Sequence, residues 1–160
     1  MRRGEQSRGG EGPQGFTLLE LLVVVALASL LIAVVFPSVG AGLRTLELRS
    51  SAQRLAAAAR FARDQAIHRQ RFFQLEIDSD HKTVSVLDVE RGERRSFEFP
   101  ASVQVEKILP EEDGKLSPTR QFLFSPDGGS PPFQVVLGNQ SRQVTVSADP
   151  LTGFPKVSGL

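Results

Sequence analysis

The chain has 160 residues and not one cysteine, tryptophan or tyrosine. Without cysteine there is no disulfide framework, no thiolate metal site and no cysteine nucleophile, although this absence assigns no compartment. The aromatic residues are all phenylalanine. No Gly-Lys-Ser/Thr phosphate loop and no Gly-x-Ser-x-Gly elbow is present. The two histidines offer little chemistry. His68 falls in a predicted helix beside Arg69 and Arg71, with no carboxylate to orient it. His81 falls in a predicted hairpin turn beside Asp78 and Asp80, where turn chemistry is the ordinary explanation and a weak metal site the sharper one. Asp127, in Ser125-Pro126-Asp127-Gly128-Gly129, lacks the ligand spacing of a calcium loop and reads as a turn. Glu111, Glu112 and Asp113 sit in a polar loop that would not tune them for acid–base work. No active site, metal site or cofactor site is expected.

What the chain does have is one long apolar run. Phe16 to Phe36 is 21 residues in which only Thr17, Glu20 and Ser29 are polar. At about 1.5 Å per residue such a helix spans the roughly 30 Å hydrocarbon core of a bilayer. Glu20 lies one turn inside. A carboxylate costs about 2.5–3.5 kcal/mol at the bilayer centre and less near an interface, so it asks for a purpose. The segment before the run is Arg-, Gly- and Gln-rich and has no reason to fold. Arg2, Arg3 and Arg8 place that end in the cytoplasm and send the C-terminal part across the membrane. Pro37, with Gly40 and Gly42 behind it, marks the exit and predicts a kink or local break.

Helix is predicted again from Leu43 to about Gln70. Leu48, Ala52, Leu55, Ala59, Ala62 and Ala66 share one face by their steps of three and four. The run Ala56-Ala57-Ala58-Ala59 favours helix and lets another element approach closely. Arg54, Arg60, Arg63, Asp64 and Arg69 should line the wetter side, as a solvated face or as a surface for neighbouring subunits or lipid headgroups. After Arg71 the period drops to two. Strands are predicted at Phe73–Asp78, Thr83–Val89, Arg95–Phe99, Val103–Ile108, Gln121–Phe124, Phe133–Leu137 and Gln143–Ser147. The tail around Asp149–Pro155 is read as a turn leading into a short edge strand. Short strands with frequent turns indicate an antiparallel sandwich or two packed sheets, with the helix over one face. The fold class is therefore α+β: a long N-terminal helix, transmembrane then amphipathic, packed on an antiparallel β-sandwich head.

The formal charge of +1 is unevenly spread. Arg44 to Arg71 holds seven Arg against Glu47 and Asp64, 7 − 2 = +5. Residues 72–160 hold nine Lys/Arg against thirteen Asp/Glu, 9 − 13 = −4. An acidic head is a poor binder of polyanions.

Three processing routes fit a leader followed by an apolar run. A secretory signal cut after Phe36, near Ser38-Val39-Gly40-Ala41, needs a core of about 7–15 residues, which this run exceeds. An uncleaved single-pass anchor is the second. The third comes from Gly15-Phe16-Thr17-Leu18-Leu19-Glu20, followed by the unbroken apolar helix and Pro37. This resembles the class III leader junction of type IV pilins and type II secretion pseudopilins. The resemblance implies a cut between Gly15 and Phe16 by the prepilin peptidase, and N-methylation of Phe16. It also implies that Glu20 approaches the N-terminal amine of a neighbouring subunit and so sets filament register.

Residues Leu55 to Arg69, with an Ala-Arg-x-x-Ala-Ile-x-Arg pattern at Ala62–Arg69, resemble the minor pseudopilins of the GspH/FimT group. Phe99-Pro100-Ala101-Ser102-Val103-Gln104-Val105 and Phe124–Gly129 resemble two further landmarks. The implied division is a leader over 1–15, a transmembrane assembly helix over 16–36, an amphipathic helix over 37–71 and a periplasmic β-sandwich head over 72–160. The implied function is structural: a minor pseudopilin of a type II secretion system that helps initiate or cap the periplasmic pseudopilus. Implied partners are the prepilin peptidase, other major and minor pseudopilins, the inner-membrane assembly platform and the membrane, with no cofactor and no catalysis. The alternative is a FimT-like minor type IV pilin of pilus biogenesis or DNA uptake. DNA-binding members of that kind are expected to carry Gly-Arg-x-Arg near the C-terminus. The matching tail here reads Thr152-Gly153-Phe154-Pro155-Lys156-Val157, with Lys156 alone basic, so nucleic acid is not an expected partner.

Overall fold

The computed structural model describes residues 15–110, 118–149 and 152–159, and for 34–41 the backbone alone. The sequence predicts two helices with an interruption at Pro37. Among the described residues there is one, α1 (Leu18–Arg69), helical through Pro37. The expected break is absent, and the proline side chain lies outside the described residues. Residues 1–14 and the acidic loop 111–117 also lie outside them. Two compact units are present, one ending at Gly40 and the other beginning at Ala41. The second unit holds the C-terminal half of α1 together with the strands that follow it.

Among the described residues eight strands follow: β1 (Phe73–Asp78), β2 (Thr83–Asp88), β3 (Arg94–Glu98), β4 (Gln104–Leu109), β5 (Thr119–Phe124), β6 (Gln134–Gly138), β7 (Gln143–Ala148) and β8 (Pro155–Ser158). They form two antiparallel sheets in the orders β3-β2-β1-β5 and β4-β6-β7-β8. The predicted strands are all present with ends shifted by a residue or two, and the tail is β8 at one edge.

Alternation decides which face each sheet buries. In the first sheet Leu75 lies between Val86 and Phe122, and Phe73 between Asp88 and Phe124. In the second, Val135 pairs with Val146 and Leu137 with Val144. These apolar residues join the predicted helix stripe in one core. Leu48 and the alanines at 52, 59, 62 and 66 are buried, as is Leu55. Alanine at the contact lets the helix backbone sit close to the sheets, so small side chains serve packing here as well as helix propensity.

Helix α1 ends in a Schellman turn. Gln70 takes a positive φ of 53°, the Arg71 N–H reaches the Ala66 carbonyl at 3.2 Å, and the Gln70 N–H reaches Ile67 at 3.4 Å. Glycine usually fills this position. Here the Gln70 side-chain amide adds a bond to the Ile67 carbonyl at 2.8 Å. Near Ala41 the head also grips the helix. The Asn139 amide donates to the Arg44 carbonyl at 3.0 Å, the Arg44 guanidinium donates to Gln140 at 2.5 Å, and the Ser102 hydroxyl donates to Glu47.

Candidate functional site

Gly15, Phe16 and Thr17 precede the helix, and Thr17 is its N-cap. The Thr17 hydroxyl accepts the Glu20 N–H at 3.2 Å, and the Thr17 carbonyl accepts the Leu21 N–H at 3.1 Å. Thr-x-x-Glu has the capping-box spacing, a signal already legible in the sequence. Glu20 also lies in the first turn, where the positive end of the helix dipole favours a carboxylate. Ser29 spends its hydroxyl on the Val25 carbonyl at 2.8 Å. No ion pair among the described residues involves Glu20.

Every described side chain from Gly15 to Ala33 is exposed. Phe16 is 83% exposed, Leu18 82% and Leu31 67%. Among the described residues no helix is long and apolar enough to cross a membrane. The described apolar side chains stop at Ala33, short of Phe36, where the run in the sequence ends. An apolar surface of this extent needs something to cover it.

Asp127, Asp78 and His81 make turn contacts. The Asp127 carboxylate accepts the Gly129 N–H at 2.9 Å and the Ser125 hydroxyl, and these bonds, the hydroxyl first, hold its carboxyl below the ordinary range. Asp78 accepts the His81 N–H and faces the His81 ring Nδ1, both at 2.9 Å. His68 is exposed on the last turn of α1. Among the described residues no group of three or more metal-ligating side chains comes together.

On the basic side of the helix Arg54, Arg60, Asp64 and Arg69 are exposed, as expected of a solvated face, while Arg63 is half-buried and Arg69 also meets carboxylates of the head. Arg69 lies 3.7 Å from Asp88 and 3.5 Å from Glu93, while Arg71 lies 4.0 Å from Asp88 and 3.1 Å from Glu90. Asp88 is buried; its Oδ1 accepts the N–H groups of Glu90 and Arg91, both at 3.1 Å. Among the described residues its Oδ2 makes no hydrogen bond and meets only the two guanidinium groups at ion-pair range. The period of two that places Val84 and Val86 inside also places Asp88 there, so this was readable in advance.

Arg63 donates to the Gly128 carbonyl at 3.2 Å and stacks 4.7 Å from the Phe154 ring. Gly128 and Gly153 are needed at this seam. Both have positive φ, and a Cβ would meet Ile67 at 3.2 Å and Ser130 at 2.9 Å respectively. The position where DNA-binding relatives are expected to carry arginine is thus an aromatic ring stacked on a helix arginine, beside an exposed Lys156.

A family model for the prokaryotic N-terminal methylation motif matches residues 13–36, and the model for type II transport protein GspH matches residues 51–151. The chain belongs to the GspH family. It is 28% identical over 156 residues to the type II secretion system protein H of Pseudomonas aeruginosa, covering 85% of this chain and 91% of that protein. Its fold is similar to that of the minor pseudopilin EpsH of Vibrio cholerae (TM-score 0.57, 16% identity, 71% of this chain and 97% of that one). It is also similar to that of the type IV minor pilin FimU of Pseudomonas aeruginosa (TM-score 0.54, 19% identity, 71% and 90%). These two likenesses show a pilin-like α+β fold. The minor-pseudopilin role in type II secretion follows from the family, which is structural rather than enzymatic.

Proposed function

We propose that this GspH-family chain is a prepilin whose mature form begins at Phe16 and helps initiate or cap a periplasmic pseudopilus. The observation that carries this reading is the exposed apolar helix behind Gly15-Phe16, capped by Thr17, with Glu20 in its first turn and no ion pair to it among the described residues. In the inner membrane the helix is covered by lipid, and in a filament by the helices of other pseudopilins. The prepilin peptidase removes residues 1–15 and Phe16 is methylated. The assembly platform then extracts the subunit, while the head faces the periplasm. Pro37 would supply local bending where α1 leaves the membrane.

Glu20 acts as the register device. An unpaired carboxylate in low dielectric is strongly penalised, and a neighbour's N-terminal ammonium relieves that penalty. Nothing in this account needs a cofactor or a reaction at the head. The test is Glu20→Ala, scored for membrane insertion and for filament incorporation by cross-linking. Normal insertion with incorporation lowered about tenfold or more is expected, in line with loss of a close buried charge pair. Normal incorporation would remove Glu20 from the mechanism.

A further inference from the structure

The head carries a second candidate site, on the side of α1 that faces β3. A cavity of about 290 Å³ lies there, its walls formed by Ala57, Phe61, Val86 and Phe97. Arg54 and Arg95 flank it. The Arg54 guanidinium lies 4.4 Å from the Phe97 ring centre, and that of Arg95 lies 5.2 Å from Phe61. Each cation is held on an aromatic face, which leaves its N–H edge free to donate. Arg69, Arg71, Arg91 and Arg94 each have a carboxylate within 4.0 Å. Among the described residues neither Arg54 nor Arg95 has one.

The backbone adds a third feature. β3 is an edge strand of its sheet and pairs only with β2 among the described strands. Its residues are mostly exposed. Edge strands present open N–H and C=O groups, and an extended peptide can add there. The volume is small for a ligand pocket and suits one bulky apolar side chain. Two fixed guanidiniums beside it suit carboxylates.

We infer that the groove between α1 and β3 binds an extended, acidic segment of a partner protein, which inserts one bulky apolar side chain between carboxylates held by Arg54 and Arg95. Charge sets the choice of occupant. Arg54 and Arg95 bring two cations to one groove with no ion-pair partner among the described residues, and an acidic segment complements them. The site lies on the head and does not depend on processing after Gly15.

The test uses the full chain in detergent micelles and labelled heptapeptides. Their central residue is Leu, Phe or Ala, flanked on both sides by Glu, Gln or Lys. Fluorescence anisotropy should rank Glu-flanked Leu or Phe first, with about tenfold weaker binding for Gln flanks or a central Ala, and weaker still for Lys. The double substitution Arg54→Glu with Arg95→Glu should abolish the preference for Glu, while Arg142→Glu should leave it. Ala57→Phe keeps both arginines and fills the groove, so it should lower affinity about tenfold even if the charge reversal fails to fold. Equal binding of Glu- and Gln-flanked peptides, or unchanged binding in Ala57→Phe, would overturn the proposal. A dimer of the chain that dissolves in the double-arginine variant would put a second copy in the groove and overturn the assignment to a separate partner.

Discussion

The two halves of α1 have the same backbone and opposite surroundings. From Leu18 to Ala33 every described side chain is exposed, leucines included; from Leu48 to Ala66 one stripe is buried against two sheets. The first half is apolar on all sides and the second on one side. A helix apolar all round needs a partner that surrounds it, whereas one with a single stripe is completed by its own domain. The composition of each half therefore states where its partner comes from. The N-terminal half leaves its apolar surface uncovered, which on the proposed function is for lipid and other subunits, and the C-terminal half uses alanine to draw the head close.

The largest test of that contrast is truncation on each side of it. Leu55→Ala should cost the head about 2–5 kcal/mol, because the buried side chain leaves a cavity. Leu27→Ala, at a position 56% exposed, should change head stability by less than about 0.5 kcal/mol. Urea unfolding of the full chain, followed by a probe in the head, measures both.

A smaller effect is expected at the joint between helix and head. Asp88→Ala removes the acceptor of two backbone N–H groups and the counter-charge of Arg69 and Arg71. The loss should be about 1–3 kcal/mol, held down because both arginines are partly exposed. Asp88→Asn, which keeps Oδ1, should recover part of it in the same unfolding assay. At the other end of α1, Thr17→Ala should destabilise the first helical turn by about 1 kcal/mol. Faster amide exchange at Glu20, with no change in the head, is the readout.

The smallest effect is a pH dependence in the β1–β2 turn. The His81 N–H, then the His81 ring, hold the Asp78 carboxyl below its ordinary 3.8, and the Asp78 carboxylate raises His81 above its ordinary 6.5. The Asp78 contribution is present above 3.8 and is lost as pH falls through its lowered value. The His81 contribution is present below 6.5 and is lost as pH rises through its raised value. The stability difference between the wild type and Asp78→Asn should therefore be greatest between these limits and shrink on both sides. His81 is fully exposed, so the difference will be small; a difference that does not vary with pH would remove the pair from the account.

Much of this was legible in the residues. Spacing of three and four picked out the buried stripe from Leu48 to Ala66, and alternation located the strands, because each sheet buries one face. The continuity of α1 through Pro37 was not legible. Proline removes one helical hydrogen bond, and the rest of the ladder keeps the backbone helical on both sides of it. The docking of the helix arginines was missed for a different reason. Stacks such as Arg54 on Phe97 and Arg63 on Phe154 join residues more than 40 positions apart, and local periodicity carries no information about them. At the candidate N-terminal site the motif is contiguous in the sequence and so legible there, and Thr17, its cap, lies in the same stretch.

The central claim is that the exposed N-terminal half of α1 is released for assembly by a cut after Gly15. The most direct measurement is the intact mass and N-terminal residue of the chain produced with and without its peptidase. The account predicts a mature chain beginning at N-methyl-Phe16 when the peptidase is present and a chain retaining the leader when it is absent. A chain that begins near Gly40, or one that keeps Met1 beside an active peptidase, would contradict it.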